Sequence, residues 1–272
     1  MASRTKQKEE ARARRLAEEQ AAAERSQRQR RMLMLGGVLL IAVAIVAVAI
    51  AISSSGGSKS NASSAAANPK TPQQQQQATQ ASNAVNATLS GIPQSGVTLG
   101  SAKAPVTVTE FGDLECPVCR DFALGSEQQL ISNEVKAGKV KLVYRSLETA
   151  TQNPGTFGVQ QSAAYAAGKQ KKSWNYILLF YHEQGAEGSG YVTQTYLDGL
   201  ARQVPGLNFA KWQTDSKNPA LLAQVQADQN AASARGFTAT PSITVEGPKG
   251  AAQPIVGPPS YSDLQKAIQQ VS

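Results

Sequence analysis

The two cysteines of this 272-residue chain stand three apart, as Cys116-Pro117-Val118-Cys119. They fall where a strand pattern turns into a helix pattern. Before them, Val106-Thr107-Val108-Thr109-Glu110-Phe111 alternates apolar and polar residues, and we expect a strand over 105–111. After them, residues 117–137 carry a helical pattern, with Gly138 placed to end it. A cysteine at the start of a helix faces the unpaired N–H groups of the first turn, which favour a thiolate over a thiol. Pro117 suits the first helical position, where its missing N–H would have had no partner. Cys116 is therefore read as the attacking sulfur. Cys119, one turn further in and more buried, is read as the resolving sulfur. Val118 brings no polar group to the Cys116 thiolate, which predicts at most a moderate oxidant.

Other uses of the pair are weaker. A disulfide across so short a loop removes little chain entropy and makes a poor staple. A zinc site needs about four ligands, and the chain has two cysteines and one histidine. No metal and no bound cofactor is expected.

The net charge of +8 is unevenly spread. Residues 1–31 hold ten Lys/Arg against five Glu, whereas from residue 96 onward the two signs nearly cancel. The folded part therefore lacks the basic groove of a nucleic-acid binder. Residues 32–52 form an apolar run without a charge, roughly 30 Å long as a helix and so matched to a bilayer core. With the basic cluster before it, this run predicts a single-pass anchor, the N-terminus in the cytoplasm and everything after residue 52 outside. The rival is a cleaved signal peptide ending near Ala49-Ile50-Ala51, but the basic leader is long and the run exceeds a usual signal core of about 7–15 residues.

Residues 53–95 are rich in Ser, Gly, Ala, Asn, Gln and Pro, and are expected to be a disordered linker. As a flexible coil they would have an r.m.s. reach of roughly 35 Å. The folded domain is then 96–272. Strands are expected at 105–111, 139–145, 242–245 and 253–256, a helical block over about 158–235, and a closing helix at 260–270. That order, β-α-β, helical block, β-β-α, is a thioredoxin-like α/β plan with a helical insertion. His182 lies in an aromatic helical run, 174–184, and is read as structural rather than catalytic. Thr240-Pro241 precedes an apolar strand. An X-Pro bond there can be cis at a cost of ~0.5–1 kcal/mol, but spacing alone favours an ordinary trans proline opening a strand.

The segment Glu110-Phe111-Gly112-Asp113-Leu114-Glu115-Cys116-Pro117-Val118-Cys119-Arg120-Asp121-Phe122, followed at a distance by Gly236-Phe237-Thr238-Ala239-Thr240-Pro241-Ser242, resembles the DsbA-like thiol–disulfide oxidoreductases. The likeness is to their membrane-anchored Gram-positive, actinobacterial type, and it covers about 96–272. It implies a nucleophilic Cys116, a resolving Cys119, and a cis Pro241 facing them with Thr240 before it. It also implies that Glu110 is a buried acid beneath the disulfide, able to relay a proton to Cys119. The alternative, an exposed carboxylate at a strand edge, stays open. The departure is Val118, where the best-known oxidases have histidine.

The reading that follows is an extracytoplasmic oxidoreductase that donates disulfides to exported proteins with free thiols. The resemblance implies a quinone-linked membrane protein as reoxidant. Two alternatives remain: a disulfide reductase or isomerase using the same exchange, and a non-catalytic thioredoxin-like module that binds clients.

Overall fold

The computed structural model describes residues 71–272. The basic tail, the apolar run and residues 53–70 of the expected linker lie outside the described residues. Among the described residues, no helix is long and apolar enough to cross a membrane.

The sheet is built on β3 (Val106–Gly112). It pairs in parallel with β4 (Val140–Ser146), from Val106 opposite Val140 to Gly112 opposite Ser146. On its other side it pairs antiparallel with β5 (Ser242–Gly247). Short strands complete the edges: β1 (Gln94–Ser95) and β2 (Thr98–Leu99) beyond β4, and β6 (Gly250–Ala251) and β7 (Ile255–Val256) beside β5. Side chains alternate across a strand. Val106 and Val108 accordingly enter the main core, while Phe111 packs on the opposite face with Leu147, Ala232 and Phe237.

The expected linker ends early. Residues 72–89 form a helix, α1 (Pro72–Leu89), and residues 94–95 form β1. This corrects the expectation of disorder through residue 95. The physical reason is local and tertiary. Thr71 and Gln74 close a reciprocal capping box, and Pro72 sits in the first turn. Ala78, Val85 and Leu89 are buried, and the polar residues between them are tied to the domain. Ser82 Oγ donates to Gln203 O (3.0 Å), Thr88 Oγ1 to Gln128 Oε1 (3.0 Å), and Asn175 Nδ2 to Asn86 Oδ1 (3.3 Å).

The helix expected over 117–137 is divided into α2 (Pro117–Leu124), α3 (Ser126–Leu130) and a π turn at Ile131–Val135. The break is at Gly125, where a Cβ would stand 2.7 Å from Asp121 O. The insertion consists of α4 (Pro154–Gly168), α5 (Ser173–His182), α6 (Gln194–Gln203), α7 (Phe209–Asp215) and α8 (Pro219–Ser233), and α9 (Tyr261–Val271) closes the fold. Residues 174–181 of α5 are all buried, but His182 is its exposed last residue and takes no part in the core. Small residues on α4 allow close packing: a Cβ on Gly168 would lie 2.7 Å from Gly96 O.

Candidate active site

Cys116 is the N-cap of α2, with extended backbone (φ −71°, ψ 118°), and Pro117 follows in the first turn. Its sulfur lies 3.7 Å from Thr240 O. Both cysteines are free thiols, Cys116 6% exposed and Cys119 fully buried. Their acidities diverge. A hydrogen bond from Cys119 chiefly, then Thr240 and the amides of Cys119 and Val118, bring Cys116 down to about 6 against the cost of burial. Cys119 is pushed well above an ordinary thiol, first by burial, then by its bond to Cys116 and the nearby Glu110 charge. At neutral pH one sulfur is a thiolate at the domain's edge and the other a buried thiol that donates to it.

The Thr240–Pro241 bond is cis. Pro241 O accepts from Gly257 N (2.8 Å), and Ser242 Oγ donates to Ala239 O (2.7 Å), which ties down both sides of this turn. Val118 is 39% exposed beside the sulfurs. Glu110 follows Val106 and Val108 in parity, so it faces the main core and has no solvent exposure.

Three features escaped the sequence reading. The first is Asp113, directly after β3 and fully buried. Its carboxylate accepts from the amides of Thr149, Ala150, Thr151 and Glu115 at 2.9–3.0 Å, and from Thr151 Oγ1 at 2.7 Å. Thr149 Oγ1 in turn bonds Thr240 Oγ1, so Asp113 is linked through one residue to the proline turn. An acidic residue between a strand and a helix is a common turn residue, and nothing in the sequence near it names its remote donors. The second is Gln184, just past α5, whose amide donates to Leu114 O (2.7 Å) and Cys116 O (3.1 Å). The third is Glu127 in α3, fully buried against Glu110. Here a signal existed: 119, 122, 123, 127 and 130 share one helical face, and 127 alone on it is charged. Burial pushes both carboxyl groups above the usual range, Glu110 being further raised by the Cys116 charge.

A family model described as thioredoxin matches residues 93–270. The probable disulfide bond formation protein D of Bacillus anthracis is 24% identical over 173 residues, covering 63% of this chain and 76% of that protein. Oxidised BdbD from Bacillus subtilis superposes with a TM-score of 0.56 at 21% identity, over 65% of this chain and 95% of that one, a likeness of fold. DsbA2 of Pseudomonas aeruginosa gives a TM-score of 0.52 at 25% identity, over 66% of this chain and 95% of that one.

Proposed function

The chain belongs to the thioredoxin family as a DsbA-like thiol–disulfide oxidoreductase, and from that premise we propose that it donates disulfides to exported proteins through Cys116 and Cys119. In the forward reaction a client thiolate attacks Cys116 Sγ of the disulfide. The Cys116–Cys119 bond breaks, a mixed disulfide forms on Cys116, and Cys119 leaves as a thiolate that takes up a proton. A second client thiolate then attacks the client sulfur of the mixed disulfide and releases Cys116. The released Cys116 is a stable leaving group because its thiolate is already favoured. The backbone beside Pro241 offers an extended client a strand to pair with. Glu110 serves as the proton relay for Cys119.

The observation that carries this reading is the opposed acidity of the two sulfurs: Cys116 down to about 6, Cys119 well above the ordinary thiol range. A structural cysteine pair has no need of such a split. The test is oxidation of a reduced dithiol peptide by the purified full chain in a defined glutathione buffer, with Cys116→Ser as control. Turnover lost in the Cys116→Ser protein is expected. Equal turnover in the two proteins would instead leave the client-binding module as the better account.

Direction of exchange is a finer matter. Val118 contributes no charge to the thiolate, which favours a poise mild enough for reductase or isomerase work as well. Trapping the in-cell state by alkylation and gel shift separates them: a mostly oxidised pair supports donation.

The basic residues of 1–31 followed by the uncharged run 32–52 support a membrane anchor with a cytoplasmic N-terminus and an extracytoplasmic catalytic domain. Any tether would then end before α1 (Pro72–Leu89), which already packs on the domain. Tethering raises the local concentration of a membrane reoxidant, for which the resemblance suggests a quinone-linked protein.

A further inference from the structure

Glu110 is not alone beneath the sulfurs. Glu127 of α3 is equally buried, and none of the four oxygens of the two carboxyl groups has a hydrogen-bond donor elsewhere among the described residues. The one hydrogen bond open to the two groups is with each other. Among the described residues, the other titratable groups that act on this pair are Cys116, the N-cap of α2, Cys119 within it, Tyr144 of β4 and Tyr181 of α5, and none of these is a cation. The helix α9, which packs on α3, turns Leu264, Ala267 and Ile268 inward and keeps Asp263 and Lys266 in an exposed ion pair. Two carboxylates cannot both be ionised at such a site, and a single carboxylate without a donor is costly to bury. The pair therefore holds at least one proton, and its low-cost ionised state is the one in which that proton bridges the two groups.

We propose that Glu127, kept protonated, donates this bridging hydrogen bond to the Glu110 carboxylate and thereby makes Glu110 a working proton acceptor for Cys119. Glu127 is a positioning residue in this scheme, acting through Glu110, and the inference rests on the relay assigned to Glu110 above. The step it supports is the closing of the disulfide. The Cys119 thiol passes its proton to Glu110, and its sulfur attacks Cys116 Sγ in the mixed disulfide. The Cys116–partner S–S bond breaks, and the electron pair leaves on the partner sulfur. That thiolate is protonated by water, while the carboxyl pair goes from one proton to two. Opening the disulfide runs the same transfer backwards, with the pair returning a proton to the Cys119 thiolate. Burial favours the fully protonated pair, and the donated bond from Glu127 lowers the proton affinity of Glu110 enough for it to cycle.

The test uses the reduced full chain and oxidised glutathione. The first step, attack by the Cys116 thiolate, forms a mixed disulfide with glutathione. The second, attack by Cys119, releases glutathione. Acid quenching and mass analysis time each step across a pH series. Glu127→Leu fills the site without a donor and is expected to slow the second step roughly tenfold or more, the worth of a hydrogen bond to a charged group, and to move its pH profile upward. Glu127→Gln, which can still donate to Glu110, recovers most of that loss. Glu110→Gln removes the acceptor and slows the second step at every pH. The first step is the internal control, and an equal loss there in Glu127→Leu would mark general damage and overturn the proposal. A slow Glu110→Gln beside a Glu127→Leu with an unshifted profile overturns the role of Glu127 and leaves the relay standing. A Glu110→Gln protein that closes its disulfide normally overturns the relay and this inference together.

Discussion

Replacing Cys119 by alanine should make Cys116 a weaker acid. The difference between an ordinary thiol at 9.0 and Cys116 at about 6 is worth ~4 kcal/mol in favour of the thiolate. The hydrogen bond from Cys119 is the foremost cause, ahead of Thr240 and the helix amides. A hydrogen bond to a charged group contributes ~1.5–3 kcal/mol, equivalent to roughly one to two decades of acidity. In Cys119→Ala the Cys116 midpoint should therefore move from about 6 to ~7–8. At pH 7 the thiolate population would fall from roughly nine in ten to between about half and one in ten. Cys119→Ser keeps a donor and should stay near the parent. The pH dependence of alkylation by iodoacetamide reads each midpoint directly. The sign of the linkage is fixed by the lowered pKa of Cys116. Thiolate stabilisation of the reduced protein is complete above the ordinary thiol value and is lost as pH falls through about 6. At pH 7 it amounts to ~1.4 kcal/mol, or roughly 30 mV in the potential of the pair. A Cys119→Ala midpoint that stays at about 6 would refute the sulfur–sulfur bond as the main cause and assign the acidity to the helix start. A parent midpoint near 9.0 would remove the thiolate altogether.

Five further outcomes are expected. Val118→His puts a cation beside the thiolate at a position already 39% exposed, and should lower Cys116 further and raise the measured potential of the pair. Asp113→Ala strands the amides of Thr149, Ala150 and Thr151, and at ~1–3 kcal/mol for each unsatisfied donor it should lower stability by ~3 kcal/mol or more in a denaturant titration. Gly125→Ala forces a Cβ to within 2.7 Å of Asp121 O. It should cost ~1–3 kcal/mol in the same assay. Leu89→Ala should cost ~2–5 kcal/mol, and a chain beginning at residue 93 should melt well below one beginning at residue 71.

The redox strand was legible because Val106 and Val108 alternate with threonines, and a half-buried strand leaves few other ways to write such a run. The helix behind Cys116 was legible for its first two turns, where Pro117 opens it and Phe122 and Ala123 line its buried face. Its interruption was not. Gly125 has φ −113°, ψ −103°, and the need for glycine comes from the approach of Asp121 O, which spacing does not encode. The helix α1 was missed because it buries only Ala78, Val85 and Leu89 out of eighteen residues and is held by amide and hydroxyl contacts to distant segments. Its capping box, Thr71 with Gln74, was in plain sight but lay in a stretch whose composition argues for disorder. Glu127 was hidden by the opposite habit: a charged residue is assumed to face water, and its partner across the core comes from a different element.

Asp113 fastens the end of β3 to the segment at 149–151, and Thr149 fastens that segment to the turn at Thr240. Three chain crossings around the sulfurs thus share one clasp, and none can shift without dragging the others. A lesion at Asp113 should therefore register as far away as Thr240, although the two residues do not touch.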